Sequence, residues 1–552
     1  MSDRPTYLIP FSVGILLAGL LIWLILHQLG ETTVSSASGP GKLSGGPSSA
    51  PASPSLATAP AGLHLSEAEK QLLAEIERLL DQPNARENEA VLQFKDEASY
   101  RAFLARAGQA GVHVVAQIDG LRAVRVRYDS WGALQRDALA HPSDYQNVGA
   151  NILVQIPSAP SQEQRTIGRQ VPFGNTMLSF LGISGDHGQW GNGTTIAILD
   201  SGVLSDRTLQ GRVRTLDIGL GTTPGKGSSD GHGTAVAALA AGSATDAPGV
   251  APSANILSVR ITDANGTSDI FTVAQGILAA VDAGAKIINI SMGGYSTNNT
   301  LSLAIDYAGD HGAVIVAAAG NDQAAQLTWP AADPRVISVG AVDAAEQQVL
   351  FSNSGPQLHL TAPGYGVQTA WLDDQRVLFD GTSASAPIVA GAIAAIMSEN
   401  PGLSATQAWE ILQKYSSDGG APGKDADYGS GILNVGWAMN RKDLTRIDTA
   451  VASHYFDATT GMMDYVVQNR SGPAVAGLKL NVETGGATNS YFVPLLVPGA
   501  SYVVQAPVNS AALSAAGTLK FNSQLNNPLG LVDQVPGNNR KSSSLTVPAP
   551  GK

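Results

Sequence analysis

Asp200, His232 and Ser383 each stand in a short stretch of small residues: Asp200-Ser201-Gly202, Gly231-His232-Gly233-Thr234 and Gly381-Thr382-Ser383-Ala384-Ser385-Ala386-Pro387. An acid, a base and a hydroxyl are the groups needed to attack an acyl carbon. The imidazole takes the hydroxyl proton, and the carboxylate orients the ring and stabilises its charged form. The flanking sequence suits that use. Thr194 to Leu199 is an apolar, β-branched run that reads as a buried parallel strand, with Asp200 at its carboxyl end, where open α/β sheets hold their sites. His232 lies between two glycines, which let backbone and ligand come close, ahead of a small-residue helix expected over Ala235 to Ala241. Ser383 precedes a second such helix, expected over Ala386 to Glu399 with Pro387 in its first turn. Its hydroxyl and its own N–H then sit at the positive end of the helix dipole. Another buried strand, Ala313 to Ala319, runs into Gly320-Asn321. Taken singly, an aspartate after a strand or a serine before a helix is usually a cap or a turn residue. The joint set points to nucleophilic catalysis.

In the order acid, base, nucleophile, these stretches resemble those of the subtilisin-like serine proteases. The likeness runs from about Val171 to Met439. Val171-Pro172-Phe173-Gly174 looks like the start of a mature chain of that family, and Tyr428-Gly429-Ser430-Gly431-Ile432-Leu433-Asn434 like its closing turn. The resemblance implies an α/β fold with a mostly parallel sheet flanked by helices. It also implies a serine endopeptidase in which Ser383 is the nucleophile, His232 the general base and Asp200 its orienting acid. Asn321 and the Ser383 N–H would hold the oxyanion. Ser291, Met292, Gly293 and Gly294 would form an edge on which an extended peptide pairs by β-augmentation. Two loops depart from the family pattern. Gly242 to Gly249 is short and lacks the Asn-rich run that builds a calcium site in many members, and Asp246 alone is poor ligation for an ion wanting about six or more oxygens. No cofactor or metal is therefore expected, a structural calcium staying open with its ligands unnamed. The stretch from Asn321 to Trp329-Pro330 is also short, leaving Asp322 and Thr328 as pocket residues.

Composition agrees with an exported enzyme. Only 14% of the 552 residues are charged and 43% are apolar, which favours a large packed core over a disordered chain. The net charge of −12 is spread along the sequence without a basic stripe, so nucleic acid is not an expected partner. Cysteine is absent, which excludes disulfides, thiol catalysis and thiolate metal sites. Tyr7 to Leu26 is almost unbroken apolar sequence, about twenty residues or roughly 30 Å as a helix, enough to cross a bilayer. It is longer than the apolar stretch of the usual signal peptide, whose cut near Ser35-Ser36-Ala37 is the alternative to an anchor. With Arg4 before it and no Lys or Arg after it until Lys42, the N-terminus is expected in the cytoplasm and the rest outside, periplasmic or extracellular.

The expected order is then an N-terminal transmembrane anchor (1–30), a Ser/Pro/Gly tether (31–62), a small α+β unit (63–156), a processing linker (157–170), the catalytic domain (171–443) and an all-β unit (444–552). The α+β unit is expected to hold a helix over Glu67 to Leu80, a strand at Ala90 to Phe94 and a helix over Glu97 to Ala110. A hairpin around Asp119-Gly120, a helix over Trp131 to Ala140 and a strand at Asn151 to Ile156 would complete it. Placed directly before a subtilisin-like domain, it resembles the family's pro-domain, which implies a folding template and inhibitor. The last hundred residues alternate apolar and polar in short runs, among them Met463 to Asn469, Leu478 to Val482 and Tyr491 to Leu496, and suggest an immunoglobulin-like β-sandwich. The expected partners are protein or peptide substrates, the membrane through the N-terminal helix, and the chain's own pro-domain. A rival reading, a catalytically silent surface-binding protein on a protease fold, would more naturally have lost one of the four polar groups.

Overall fold

The computed structural model describes residues 66–109, 111–157, 170–221 and 229–546. The expected anchor and tether lie outside them, as does most of the processing linker.

The catalytic region is built on a seven-stranded sheet. Its order is Leu360–Pro363, Ile337–Val342, Val314–Ala318, Ile287–Ile290, Thr195–Asp200, Asn255–Arg260 and Val213–Leu216. Every adjacent pair runs parallel. The inner strands are apolar runs buried on both faces, the pattern that parallel strands covered by helices require. One face packs against the helices His232–Ala241 and Thr382–Glu399 in a single core. The other packs against Ile270–Asp282 and Asn299–Asp310. Thr382–Glu399 is long and apolar enough to cross a membrane, yet its side chains are buried in the protein; it is the central core helix.

Two expectations about helix starts are corrected. The helices begin at His232 and at Thr382, so His232 and Ser383 lie inside their first turns rather than ahead of them. Pro387 consequently falls in the second turn, where its missing N–H leaves the Ser383 carbonyl without its helical donor.

Residues 66–157 form a sheet ordered Tyr145–Gln155, Ala85–Phe94, Ala123–Tyr128, Val112–Ile118, with helices Glu67–Leu80, Glu97–Arg106 and Trp131–Ala140. Ser66 caps the first helix through a capping box with Glu69. The strand Tyr145–Gln155 pairs antiparallel with Thr267–Asp269 of the catalytic region, extending the sheet across the two. Val91, Leu121, Ile152 and Val154 enter the same core as the helix Ile270–Asp282.

Residues 449–546 form a three-stranded antiparallel sheet, Thr449–Asp457, Met462–Asn469 and Ser501–Pro507, and a four-stranded one ordered Ala487–Phe492, Lys479–Thr484, Thr518–Asn526 and Arg540–Thr546. Their facing side chains, Tyr465 and Val504 on one and Leu480 and Phe521 on the other, share one core. The strand expected at Tyr491 to Leu496 starts earlier, at Ala487, and ends at Phe492.

His454 is wedged between the Ser543 hydroxyl (2.8 Å) and the Ser523 hydroxyl (2.7 Å), an arrangement that a neutral ring satisfies by donating from one nitrogen and accepting at the other. Burial, with Lys541 adding to it, pushes this imidazole down to about 3. The unfolded chain takes up the proton near the ordinary histidine value of about 6.5, so the stabilisation is full above that pH and is lost as pH falls toward 3. Acid is expected to destabilise this unit by roughly 2–3 kcal/mol between pH 7 and 4. Scanning calorimetry of wild type and His454→Gln across that range checks it: an unchanged pH slope in the variant would remove His454 as the cause.

Candidate active site

At the carboxyl edge of the sheet, Asp200 ends its strand with no exposure, and its two carboxylate oxygens lie 2.8 and 3.0 Å from His232 Nδ1. Ser201 N–H donates to the same carboxylate at 2.7 Å. The helix bearing His232 docks directly on the loop after Asp200: a β-carbon on Gly233 would stand 2.3 Å from the Gly202 carbonyl oxygen. That contact sets the distance between Asp200 and His232. The outer side of the His232 ring meets Phe379 edge-on, with centroids 5.3 Å apart.

Ser383 is 2% exposed, and its Oγ donates to the Ser291 carbonyl at 3.2 Å. Ser291 Oγ in turn donates to the Ser383 carbonyl at 3.2 Å, the acceptor that Pro387 leaves open, and itself accepts from Asn289 Nδ2 at 3.0 Å. The start of the helix bearing Ser383 is thereby tied to the end of the strand Ile287–Ile290. Ser383 and His232 line one cavity together with Gln155, Ile156, Pro157, Trp371 and Phe379.

Asn321 Oδ1 accepts from Thr382 N–H (2.9 Å) and Thr382 Oγ1 (2.8 Å). With its oxygen so engaged, the amide presents Nδ2 as its remaining polar end, one residue from Ser383. Asn321 lines a second cavity with Gly293, Tyr295, Gly320, Asp322, Thr328 and, again, Pro157. Pro157 thus lines both the cavity that holds Ser383 and the cavity that holds Asn321.

The four edge residues separate by role. Gly293 exchanges both backbone hydrogen bonds with Gln155, at 3.1 Å each, while Gly294 pairs with Trp329. Ser291 is spent on Ser383, as above. Met292 is buried and lines an apolar hollow with Ile270, Val273 and Leu301, shared by Val154. On the far side of the same strand, Ile156 N–H donates to the Gly266 carbonyl at 2.9 Å. Leu153 to Ile156 therefore lies between two catalytic-domain edges, in the manner of an added strand. Asp246 is held by Arg207 and Arg376, and among the described residues no cluster of three or more His, Cys, Asp or Glu side chains could hold a metal ion. Asn289, Thr382, Phe379 and Pro387 were not singled out for these contacts from sequence. A polar residue within a buried strand, as Asn289 is, and a proline within a helix were the available signals.

A family model described as the subtilase family matches residues 191–431. The chain is 35% identical over 277 residues to a thermostable alkaline protease of Halalkalibacterium halodurans, covering 50% of this chain and 74% of that one. It is 33% identical over 255 residues to subtilisin Savinase of Lederbergia lenta, covering 45% and 92%. Among solved structures, fervidolysin from Fervidobacterium pennivorans, a keratinolytic enzyme related to subtilisin, superposes with a TM-score of 0.56 at 20% identity over 85% of this chain and 77% of that one, a likeness of fold. The chain belongs to the subtilase family. It is a subtilisin-like serine endopeptidase.

Proposed function

We propose that the chain is made as a membrane-anchored zymogen and hydrolyses peptide bonds outside the cytoplasm through Asp200, His232 and Ser383. The observation that carries the mechanism is the buried Asp200–His232 contact, which fixes Nδ1 as the protonated nitrogen and leaves Nε2 as the base. Ser383 attacks the acyl carbon and gives its proton to His232, which returns it to the leaving amine. Asn321 Nδ2 and the Ser383 N–H receive the oxyanion. Residues 63–156 act as pro-domain: the strand Leu153 to Ile156 occupies the edge a substrate would use, so it blocks the cleft while attached. The stretch Pro157-Ser158-Ala159-Pro160-Ser161-Gln162-Glu163-Gln164-Arg165 is polar and carries two prolines, a composition suited to extended, cleavable chain. Cleavage between Ile156 and Val171 separates the catalytic domain from the only expected membrane span and releases it when the pro-domain lets go. The 444–552 unit serves as a binding or spacing module.

Intact-mass measurement of full-length wild type beside Ser383→Ala, with membrane and soluble fractions compared, tests this. Wild type is expected to yield a soluble fragment starting between Pro157 and Val171, and Ser383→Ala to stay whole and membrane-bound. Active wild type with the catalytic domain still covalently joined to the N-terminal segment would overturn the release.

A further inference from the structure

Beside the Ser383–Asn321 pair, where the proposed mechanism holds the scissile carbonyl, the segments Gly293–Tyr295 and Gly320–Asp322 line the cavity that Pro157 and Asn321 share, a space open to the side chain preceding the cleaved bond. That cavity, of about 470 Å³, is spread along the strand from Asn84 and Leu153 to Pro157. Thr328 closes its floor. A β-carbon on Gly293 would stand 2.5 Å from Thr328 Oγ1, and one on Gly320 would stand 2.9 Å from Thr328 Cγ2. One side chain thus stands against both walls. Its hydroxyl is directed at the carbonyls of Ala318 (3.4 Å) and Ala319 (3.3 Å), and it is 6% exposed. A β-branched residue anchored in this way has little χ1 freedom, so the methyl cannot swing aside for a ligand. At the mouth, the Asp322 carboxylate accepts from the Tyr295 hydroxyl, which accepts from Asn353 Nδ2 at 3.0 Å, tying that carboxylate to the wall.

We infer that Thr328 makes this pocket a shallow slot, and that the enzyme selects substrates with a small side chain (alanine, serine or threonine) immediately before the cleaved bond, against phenylalanine, tyrosine and leucine. The inference rests on the proposed Ser383 mechanism and adds to it the substrate class. One misfitted methylene in an apolar pocket is worth about 10–200-fold in kcat/KM, and an aromatic ring exceeds the slot by several.

The test uses the full chain after self-processing, with a set of peptides differing only at that one position, Ala or Phe or Arg. Wild type is expected to cleave the Ala peptide at least about tenfold better than the Phe peptide. Thr328→Gly, which removes the floor, is expected to raise the Phe/Ala ratio of kcat/KM by about tenfold or more. Thr328→Ser keeps the hydroxyl and drops only the methyl, so it guards against a Thr328→Gly chain that folds poorly; its Phe/Ala ratio is expected between the other two. A wild-type preference for Phe overturns the slot, as does a Thr328→Gly change that moves Ala and Phe alike. A preference for Arg overturns it in favour of Asp322 as the selecting group. Wild type that cleaves none of the three, and no protein substrate either, removes the Ser383 mechanism itself and the slot with it, a result distinct from a wrong preference.

Discussion

Ser383→Ala is expected to lower peptide hydrolysis by about four to six orders of magnitude, the scale known for losing this group in subtilisin itself. In the proposed mechanism the hydroxyl oxygen forms the bond to the acyl carbon, and Asp200 and His232 have nothing to activate once it is gone. A second substitution, His232→Ala, should then cost almost nothing more, because the three residues act as a unit. What survives is the share of catalysis that substrate binding and the oxyanion donors supply. Asn321→Ala belongs to the same series at a smaller loss, about two to three orders in turnover with the Michaelis constant little changed, since its bond strengthens only in the transition state. The fold should tolerate Ser383→Ala: the lost hydroxyl gives up one hydrogen bond, to the Ser291 carbonyl at 3.2 Å, worth about 1 kcal/mol. Steady-state assay and melting curves on the same purified protein separate the two effects. A Ser383→Ala enzyme within about tenfold of wild type would end the mechanism.

The catalytic fold was legible because its signals are local. The apolar run before Asp200 could form little but a buried strand, and the observed Thr195–Asp200 is shifted by one residue. The small-residue runs after His232 and Ser383 read equally well as core helices. Their starting points did not. A serine ahead of a helix is ordinarily the cap, but here Gly381 fills that position at φ 125°, and the helix takes in Thr382 and Ser383. In the C-terminal unit the strands Thr449–Asp457 and Arg540–Thr546 escaped notice for opposite reasons. The first begins with Thr449-Ala450-Val451-Ala452-Ser453, small residues buried without alternation. The second is Arg540-Lys541-Ser542-Ser543-Ser544-Leu545-Thr546, an edge strand that sends few apolar side chains inward. Contacts that join segments far apart in sequence left no pattern to read. Gln155 against Gly293 and Thr328 against Gly293 are of that kind, since either partner alone looks like ordinary strand or loop.

A contact between segments remote in sequence carries the last prediction. Asp269 caps the helix Ile270–Asp282, accepting from Thr272 N–H at 2.9 Å with Oδ1. Its Oδ2 faces the N-terminal unit, 3.0 Å from Arg86 Nε and 3.0 Å from Arg125 Nη1. Arg125 is also paired with Glu89, Nε to Oε2 at 2.7 Å. Burial raises the Glu89 carboxyl, but Arg125, Asn151 and Arg127 outweigh it and hold it below the ordinary value. A partly buried guanidinium therefore links a carboxylate of the N-terminal unit to one of the catalytic domain. Asn caps a helix about as well as Asp does, so Asp269→Asn keeps the helix start and removes only the charge. It leaves Arg86 facing a neutral amide and Arg125 with Glu89 alone, and losing one side of a partly buried ion-pair link is costly. The N-terminal unit, acting as proposed, should then let go about a hundredfold faster, within the range that close charge pairs show in double-mutant cycles. The readout is the rate at which activity on an added protein substrate appears after self-cleavage, in wild type, Asp269→Asn, Arg125→Gln and the double variant. Coupling between the two substitutions is expected, the double variant releasing little faster than either single one. Release in Asp269→Asn within about twofold of wild type would mean that the apolar contacts of Ile152 and Val154 and the backbone pairing with Thr267–Asp269 hold the unit without help from charge.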